Sequence, residues 1–213
     1  QMGIVTIRDI IAYRMRTEKL ITRVISTHIP NEFGQWKIHL YEGVIDKELH
    51  VAMVMGEPEK QESALVRVHS QCFTGDTLGS LRCDCGSQLK EAQRIISKEG
   101  HGVILYLHQE GRGIGLKHKL IAYALQDKGR DTVEANEDLG FHADLREYGI
   151  GAQLLCDLGL KKIRLMTNNP RKIIGITGYA LEIVDRVPLV TGANEYNKRY
   201  LDTKEKKLGH ILS

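Results

Sequence analysis

Polar and hydrophobic positions alternate with a period of two through the first third of the chain, in Thr22 to Ile25, Trp36 to Tyr41, His50 to Met55 and Ala64 to Val68. A half-buried strand requires that period, because successive side chains leave opposite faces of a sheet. Pro30-Asn31, Asp46-Lys47 and Gly56-Glu57-Pro58 punctuate the runs, which predicts antiparallel strands joined by turns. Ahead of them, residues 3 to 20 read as a short β-branched run and then a helical pattern capped by Asp9.

After Cys85 the rhythm changes. The pattern predicts a helix over Ser87 to Lys98, a buried strand over Val103 to Leu107, a glycine-rich loop over Glu110 to Gly115 and a helix over Leu116 to Asp127. A helix over Tyr148 to Leu158, a strand over Ile163 to Met166, a loop and a strand over Leu181 to Val187 follow. Strands alternating with helices imply crossover units on a shared sheet. The expected fold class is α/β (α+β): a mixed sheet with an antiparallel N-terminal part and strand-helix units after the cysteine cluster. The lysine-rich tail from Glu195 to Leu212 reads as an exposed helix, or as a segment that orders on a ligand or partner.

Composition narrows the class. Across 213 residues, 42% hydrophobic and 27% charged positions with 21 Gly and 4 Pro exclude collagen-like, mucin-like and disordered chains. No apolar stretch approaches the roughly 18 residues of a bilayer span. Arg8, Asp9, Arg14 and Arg16 interrupt any signal-like run near the start. A cytoplasmic, reducing location is expected, or an organellar one if a transit peptide precedes this segment. Thirty Lys plus Arg against 27 Asp plus Glu leave +3, which permits a nucleotide and argues against nucleic acid and membrane partners.

In a reducing compartment, clustered cysteines point to metal or catalysis. Cys72, Cys83 and Cys85 offer three thiolates with no fourth cysteine close by, since Cys156 lies on the apolar stripe of a predicted helix. Either His69 closes a structural zinc site, or three protein ligands leave a position for water, as in catalytic zinc. Three thiolates leave such a site formally negative, so a compensating donor is needed, and the backbone N–H groups of Asp84 to Ser87 are candidates. His108-Gln109-Glu110 matches half of the nucleobase-deaminase signature, but it follows the cysteines and lacks a P-C-x-x-C partner, which argues against that chemistry. Glu110-Gly111-Arg112-Gly113-Ile114-Gly115 follows a strand and opens a helix, where backbone N–H groups approach anions. Arg67, Arg112 and Lys172 add donors suited to phosphate.

Four ordered segments carry a family resemblance: Arg67 to Asp76, Leu81 to Gly86, Gln109 to Leu116 and Thr167 to Lys172. Together they resemble GTP cyclohydrolase II of riboflavin biosynthesis over about residues 21 to 210. The resemblance implies an enzyme using zinc and magnesium that converts GTP to 2,5-diamino-6-ribosylamino-4(3H)-pyrimidinone 5′-phosphate, formate and pyrophosphate, usually as a homodimer. It implies zinc ligands at Cys72, Cys83 and Cys85 and GTP contacts at Arg67, Val68, His69, Ser70, Gln71, Gln88, Glu110, Gly111, Arg112, Thr132, Thr167 and Lys172. It further implies a proton acceptor at Asp144, a nucleophile at Arg146 and an active-site tyrosine at Tyr123.

Chemistry qualifies two of these roles. A guanidinium offers no lone pair until it loses a proton, so a charged clamp on the phosphoryl group is the simpler role for Arg146. Glu110 is expected to pair with the N1 and N2 donors of guanine. Gln71 departs from the Glu common in the family, which lowers expected turnover and keeps a second reading open: a degenerate GTP-binding partner subunit with structural zinc. An enzymatic alternative is a cyclohydrolase that stops at the formylated pyrimidine. Gly3 to Arg14 resembles the join to 3,4-dihydroxy-2-butanone-4-phosphate synthase in bifunctional riboflavin enzymes, and Gln1 precedes Met2. Residues 1–20 are therefore expected to be a linker from a fused synthase domain, and residues 21–213 the cyclohydrolase domain.

Overall fold

The computed structural model describes residues 5–142, 148–176 and 179–211. Its first half contains α1 (Ile7–Thr17), β1 (Ile21–Asn31), β2 (Gly34–Gly43), β3 (Leu49–Met55), β4 (Ala64–Ser70), α2 (Cys85–Glu99) and β5 (Gly102–Leu107). The second contains α3 (Gly115–Asp127), α4 (Thr132–Asp138), α5 (Gly149–Asp157), β6 (Lys162–Met166), α6 (Pro170–Ile176), β7 (Glu182–Val187) and α7 (Lys198–Lys206). The seven strands form one sheet in the order β1-β2-β3-β5-β4-β6-β7. β1, β2, β3 and β5 pair antiparallel, whereas β5, β4, β6 and β7 pair parallel, which is the mixed sheet expected. Among the described residues no helix is long and apolar enough to cross a membrane.

Both faces of the sheet are covered. Val66, Val68 and Leu105 pack on one side with Leu154 and Leu155 of α5, while Leu65, Ile104 and Trp36 pack on the other with Ala92 and Ile96 of α2. β4 is accordingly buried along almost its whole length. Because side chains alternate, Arg67 and His69 share the face of Leu65, towards α2. Two polar residues at 6% and 2% exposure in a central strand need partners, and they mark a functional edge.

Several boundaries differ from expectation for local reasons. β1 continues through Pro30, which a strand at the sheet edge tolerates, and the turn falls at residues 32 and 33. Thr6, not Asp9, caps α1: the Thr6 side chain accepts from the Asp9 N–H, and the Asp9 carboxylate accepts in return from the Thr6 N–H. α4 and α6 were not expected, since both are seven residues long and too short for periodicity to register. The tail forms α7, which packs back onto the domain with Thr203 and Lys204 buried.

Candidate active site

The carboxyl ends of three adjacent parallel strands meet at one edge of the sheet. β4 delivers Ser70, Gln71 and Cys72, β5 delivers Gln109 to Arg112, and β6 delivers Thr167 to Asn169. Open α/β sheets bind ligands in that position.

Cys72 follows β4, and Cys85 is the first residue of α2, two positions earlier than the predicted start, so its thiol lies where helix N–H groups point outward. The Cys72, Cys83 and Cys85 sulfurs all lie within 4.8 Å of one another, with Cys72 Sγ and Cys83 Sγ 3.7 Å apart. Tetrahedral zinc–sulfur geometry at about 2.3 Å places sulfurs about 3.8 Å apart. The loop packs tightly on the sulfurs, because a Cβ on Gly75 would meet Cys83 Sγ at 2.9 Å and Cys72 Sγ at 3.0 Å. The donor set and spacing therefore fit a thiophilic metal. His69, the alternative fourth ligand, turns elsewhere: its Nε2 lies 3.1 Å from both Asp76 carboxylate oxygens and its ring stacks on Tyr106. Asp76 also accepts from the Cys72 N–H at 2.9 Å and from the Tyr106 hydroxyl at 2.9 Å, which anchors the turn after β4.

Charge in the triad is uneven. Hydrogen bonds from Cys83 and Cys85, aided by Lys119, hold the Cys72 thiol far below its ordinary range, whereas its hydrogen bond to Cys72 pushes Cys83 up to about 11. Lys119 Nζ lies 3.0 Å from Cys72 Sγ and 2.7 Å from Glu110 Oε1. Burial works against the ammonium, but the Cys72 thiolate and Glu110 more than offset it and hold Lys119 protonated. Glu110 also accepts from the N–H groups of Phe73 at 2.6 Å and Gly111 at 3.1 Å. Three of the roughly four acceptor positions of this carboxylate are thus taken inside the protein, which leaves about one for a ligand.

Two clefts open on this edge. The first, about 600 Å³ and open to solvent, holds the three cysteines, Gln71, Glu110, Gly111, Tyr123 and Thr132. The Tyr123 hydroxyl lies 3.4 Å from Thr74 Oγ1, and burial pushes its phenol up, so it stays protonated at neutral pH. The second, about 520 Å³, holds Arg67, His69, Gln88, Thr167 and Lys172. Ser70, Cys85, Arg112 and Tyr200 border both. Arg112 occupies the left-handed region at φ 65°, between Gly111 and Gly113 at φ 63° and 93°. For a residue with a Cβ this costs on the order of 1 kcal/mol, and such strain concentrates at functional loops.

Arg67 donates to the Met166 carbonyl and to Gln88 Oε1, and Lys172 donates to the Val68 carbonyl at 2.6 Å. The Val68 side chain is fully buried in the core, and its carbonyl accepts from Lys172 in this network. Asp144 and Arg146 lie outside the described residues. Sequence reasoning did not single out Asp76, Lys119 and Tyr200, nor Lys204 and His210, which line the basic cleft. Lys119 had a usable signal, since it stands one helical turn before Tyr123. Lys204 had none, because nothing local says that α7 returns to the site.

In this α/β domain a cysteine triad that could hold a metal thus lies beside a basic cleft at the carboxyl ends of the parallel strands. A family profile for GTP cyclohydrolase II matches residues 22–188, and the chain belongs to that family. It is 58% identical over 212 residues to riboflavin biosynthesis protein RibBA of Chlorobium phaeovibrioides, covering 100% of this chain and 52% of that protein. It is 55% identical to RibBA of Synechocystis, covering 99% of this chain and 38% of that one. The chain thus spans about half or less of these curated relatives. A two-domain 3,4-dihydroxy-2-butanone 4-phosphate synthase from A. baumannii shares the fold, with a TM-score of 0.53 at 22% identity over 86% of this chain and 44% of that one.

Proposed function

We propose that this domain hydrolyses GTP to 2,5-diamino-6-ribosylamino-4(3H)-pyrimidinone 5′-phosphate, formate and pyrophosphate, the first committed step of riboflavin biosynthesis. The observation that carries the reading is the shared wall between the thiolate cleft and the basic cleft, formed by Ser70, Cys85, Arg112 and Tyr200. A nucleotide lying across that wall presents its base to the cysteines and its phosphates to Arg67, Arg112 and Lys172. Cys72, Cys83 and Cys85 suit zinc, and a triphosphate suits magnesium. Zinc, when bound, supplies a water acidic enough to attack an imidazole carbon near neutral pH.

The protein's own residues do the rest. Tyr123, protonated and held near Thr74, donates a hydrogen bond towards the reacting base. The cations of the basic cleft hold the triphosphate, and His69, which lines that cleft with its Nε2 committed to Asp76, keeps Nδ1 as a spare acceptor. Arg146 acts as a charged clamp on the phosphoryl group and Asp144 orients it. The same proposal includes a cytoplasmic location, a homodimer and residues 1–20 as a linker from a fused synthase domain. The exposed apolar positions Val24, Ile25 and Ile29 on the edge strand β1 are compatible with a partner surface.

The test is turnover of GTP and of ATP by zinc-loaded protein with and without magnesium. Magnesium-dependent consumption of GTP alone is expected. Comparable kcat/KM for the two purines contradicts the assignment, because a hydrogen-bonding pocket rejects a mismatched donor pattern strongly.

A further inference from the structure

Three thiolates on a divalent metal leave a formal charge of about −1 in a site whose sulfurs are largely out of water. Cys72 and Cys83 are 4% and 7% exposed. An uncompensated buried charge is costly, and electron-rich sulfurs weaken the metal they hold as a Lewis acid. Some cation close to the sulfurs is therefore called for.

Lys119 meets that need. Its residue is 9% exposed, and among the described residues it is the cation that donates a hydrogen bond to a triad sulfur, Cys72 Sγ at 3.0 Å. Arg82 pairs with Asp127 over the Tyr123 ring, Lys204 pairs with Asp84, and Arg112, which borders the same cleft, lies over the Tyr200 ring. The placement of Lys119 is over-determined. Glu110 holds its ammonium at 2.7 Å and is itself fixed by the N–H groups of Phe73, next to Cys72, and of Gly111. Gly111 leaves room for it, since a Cβ there would come within 3.1 Å of Lys119 Cβ.

Resting on the metal reading of the triad, we propose that Lys119 is a positioning residue of the metal centre. Its ammonium hydrogen-bonds the Cys72 thiolate, offsets one thiolate charge and so raises the electrophilicity of the metal, while Glu110 fixes the ammonium in place. A plain structural ion pair between Lys119 and Glu110 predicts none of the electronic consequences.

The experiment uses the cobalt-substituted protein, whose thiolate-to-cobalt absorption reports the energy of the sulfur lone pairs. Lys119→Met should move that band to longer wavelength, because a sulfur stripped of its hydrogen bond gives up an electron more readily. Lys119→Met/Glu110→Gln removes both charges together, so neither is left buried alone, and should show the same shift. Lys119→Arg should restore the wild-type band. In zinc-loaded protein, Lys119→Met should lower kcat about 10- to 100-fold, the usual effect of losing a partner of a metal ligand, with KM for GTP little changed. An unmoved band in both Met variants overturns the proposal. Absence of any thiolate band in the wild-type protein overturns the metal reading and this inference with it, which distinguishes the two failures.

Discussion

Lys204 reaches across 120 residues of sequence to place its ammonium 2.9 and 2.8 Å from the two carboxylate oxygens of Asp84, the residue between Cys83 and Cys85. Both side chains are buried, at 8% and 3% exposure. Gln88 donates to the same carboxylate at 2.8 Å and accepts from Arg67. The C-terminal helix is thereby tied to the cysteine loop and, through Gln88, to the basic cleft.

Removing one member of a buried pair strands the other charge, which costs on the order of 3–5 kcal/mol. Lys204→Met should therefore lower the melting temperature by about 6–20 °C in a domain of this size. Lys204→Met/Asp84→Asn should recover most of the loss. Thermal denaturation followed by circular dichroism checks both, and a shift below about 2 °C for the single variant would mean that the pair contributes nothing.

The sheet was legible because it rests on periodicity. Runs such as Trp36 to Tyr41 and Ala64 to Val68 fall inside β2 and β4, and the change of rhythm after Cys85 marks the start of α2. The cysteine cluster was legible because Cys72, Cys83 and Cys85 sit in one loop-to-helix segment. Partners delivered by distant elements were not. Lys204 reaches Asp84 only because α7 folds back, and Asp76 gathers His69, Tyr106 and the Cys72 N–H only because β4 and β5 lie side by side. The partners of Glu110 were hidden for the same reason, since a loop carboxylate looks free until Phe73 and Lys119 are seen to bond it.

Gly75 sets a steric limit on the cysteine cluster. A methyl group there falls 2.9 and 3.0 Å from two sulfurs and 3.2 Å from Cys85 Cβ. Overpacking of that kind costs about 1–3 kcal/mol. Gly75→Ala should weaken metal binding roughly 10- to 100-fold while far-ultraviolet circular dichroism stays native. Competition against a chromophoric chelator measures it, and unchanged affinity would show that the loop yields freely.

Asp157 carries the acid sensitivity of the N-terminal half. Burial pushes its carboxyl up, but hydrogen bonds from Lys19, Tyr41 and Arg23 prevail and hold it at about 2. A depressed carboxylate contributes stability above its unfolded pKa of about 3.9, and loses it as pH falls through the folded value. Asp157→Asn should cost about 1 kcal/mol near neutral pH, with solvent screening taken into account. The difference in melting temperature between wild type and variant should shrink from pH 4 towards pH 2 and stay flat above about pH 5. A gap that widens on acidification would reverse the sign and sink the assignment.

On the proposed function, the cysteine cleft and the basic cleft act together on one GTP molecule. Quantifying formate and pyrophosphate released per GTP consumed, by zinc-loaded wild type and by Cys83→Ser, tests it most directly. Equimolar formate and pyrophosphate are expected from the wild type, and loss of formate release in a folded Cys83→Ser variant. GTP left intact by the zinc-loaded wild type, or undiminished formate release by Cys83→Ser, would contradict it.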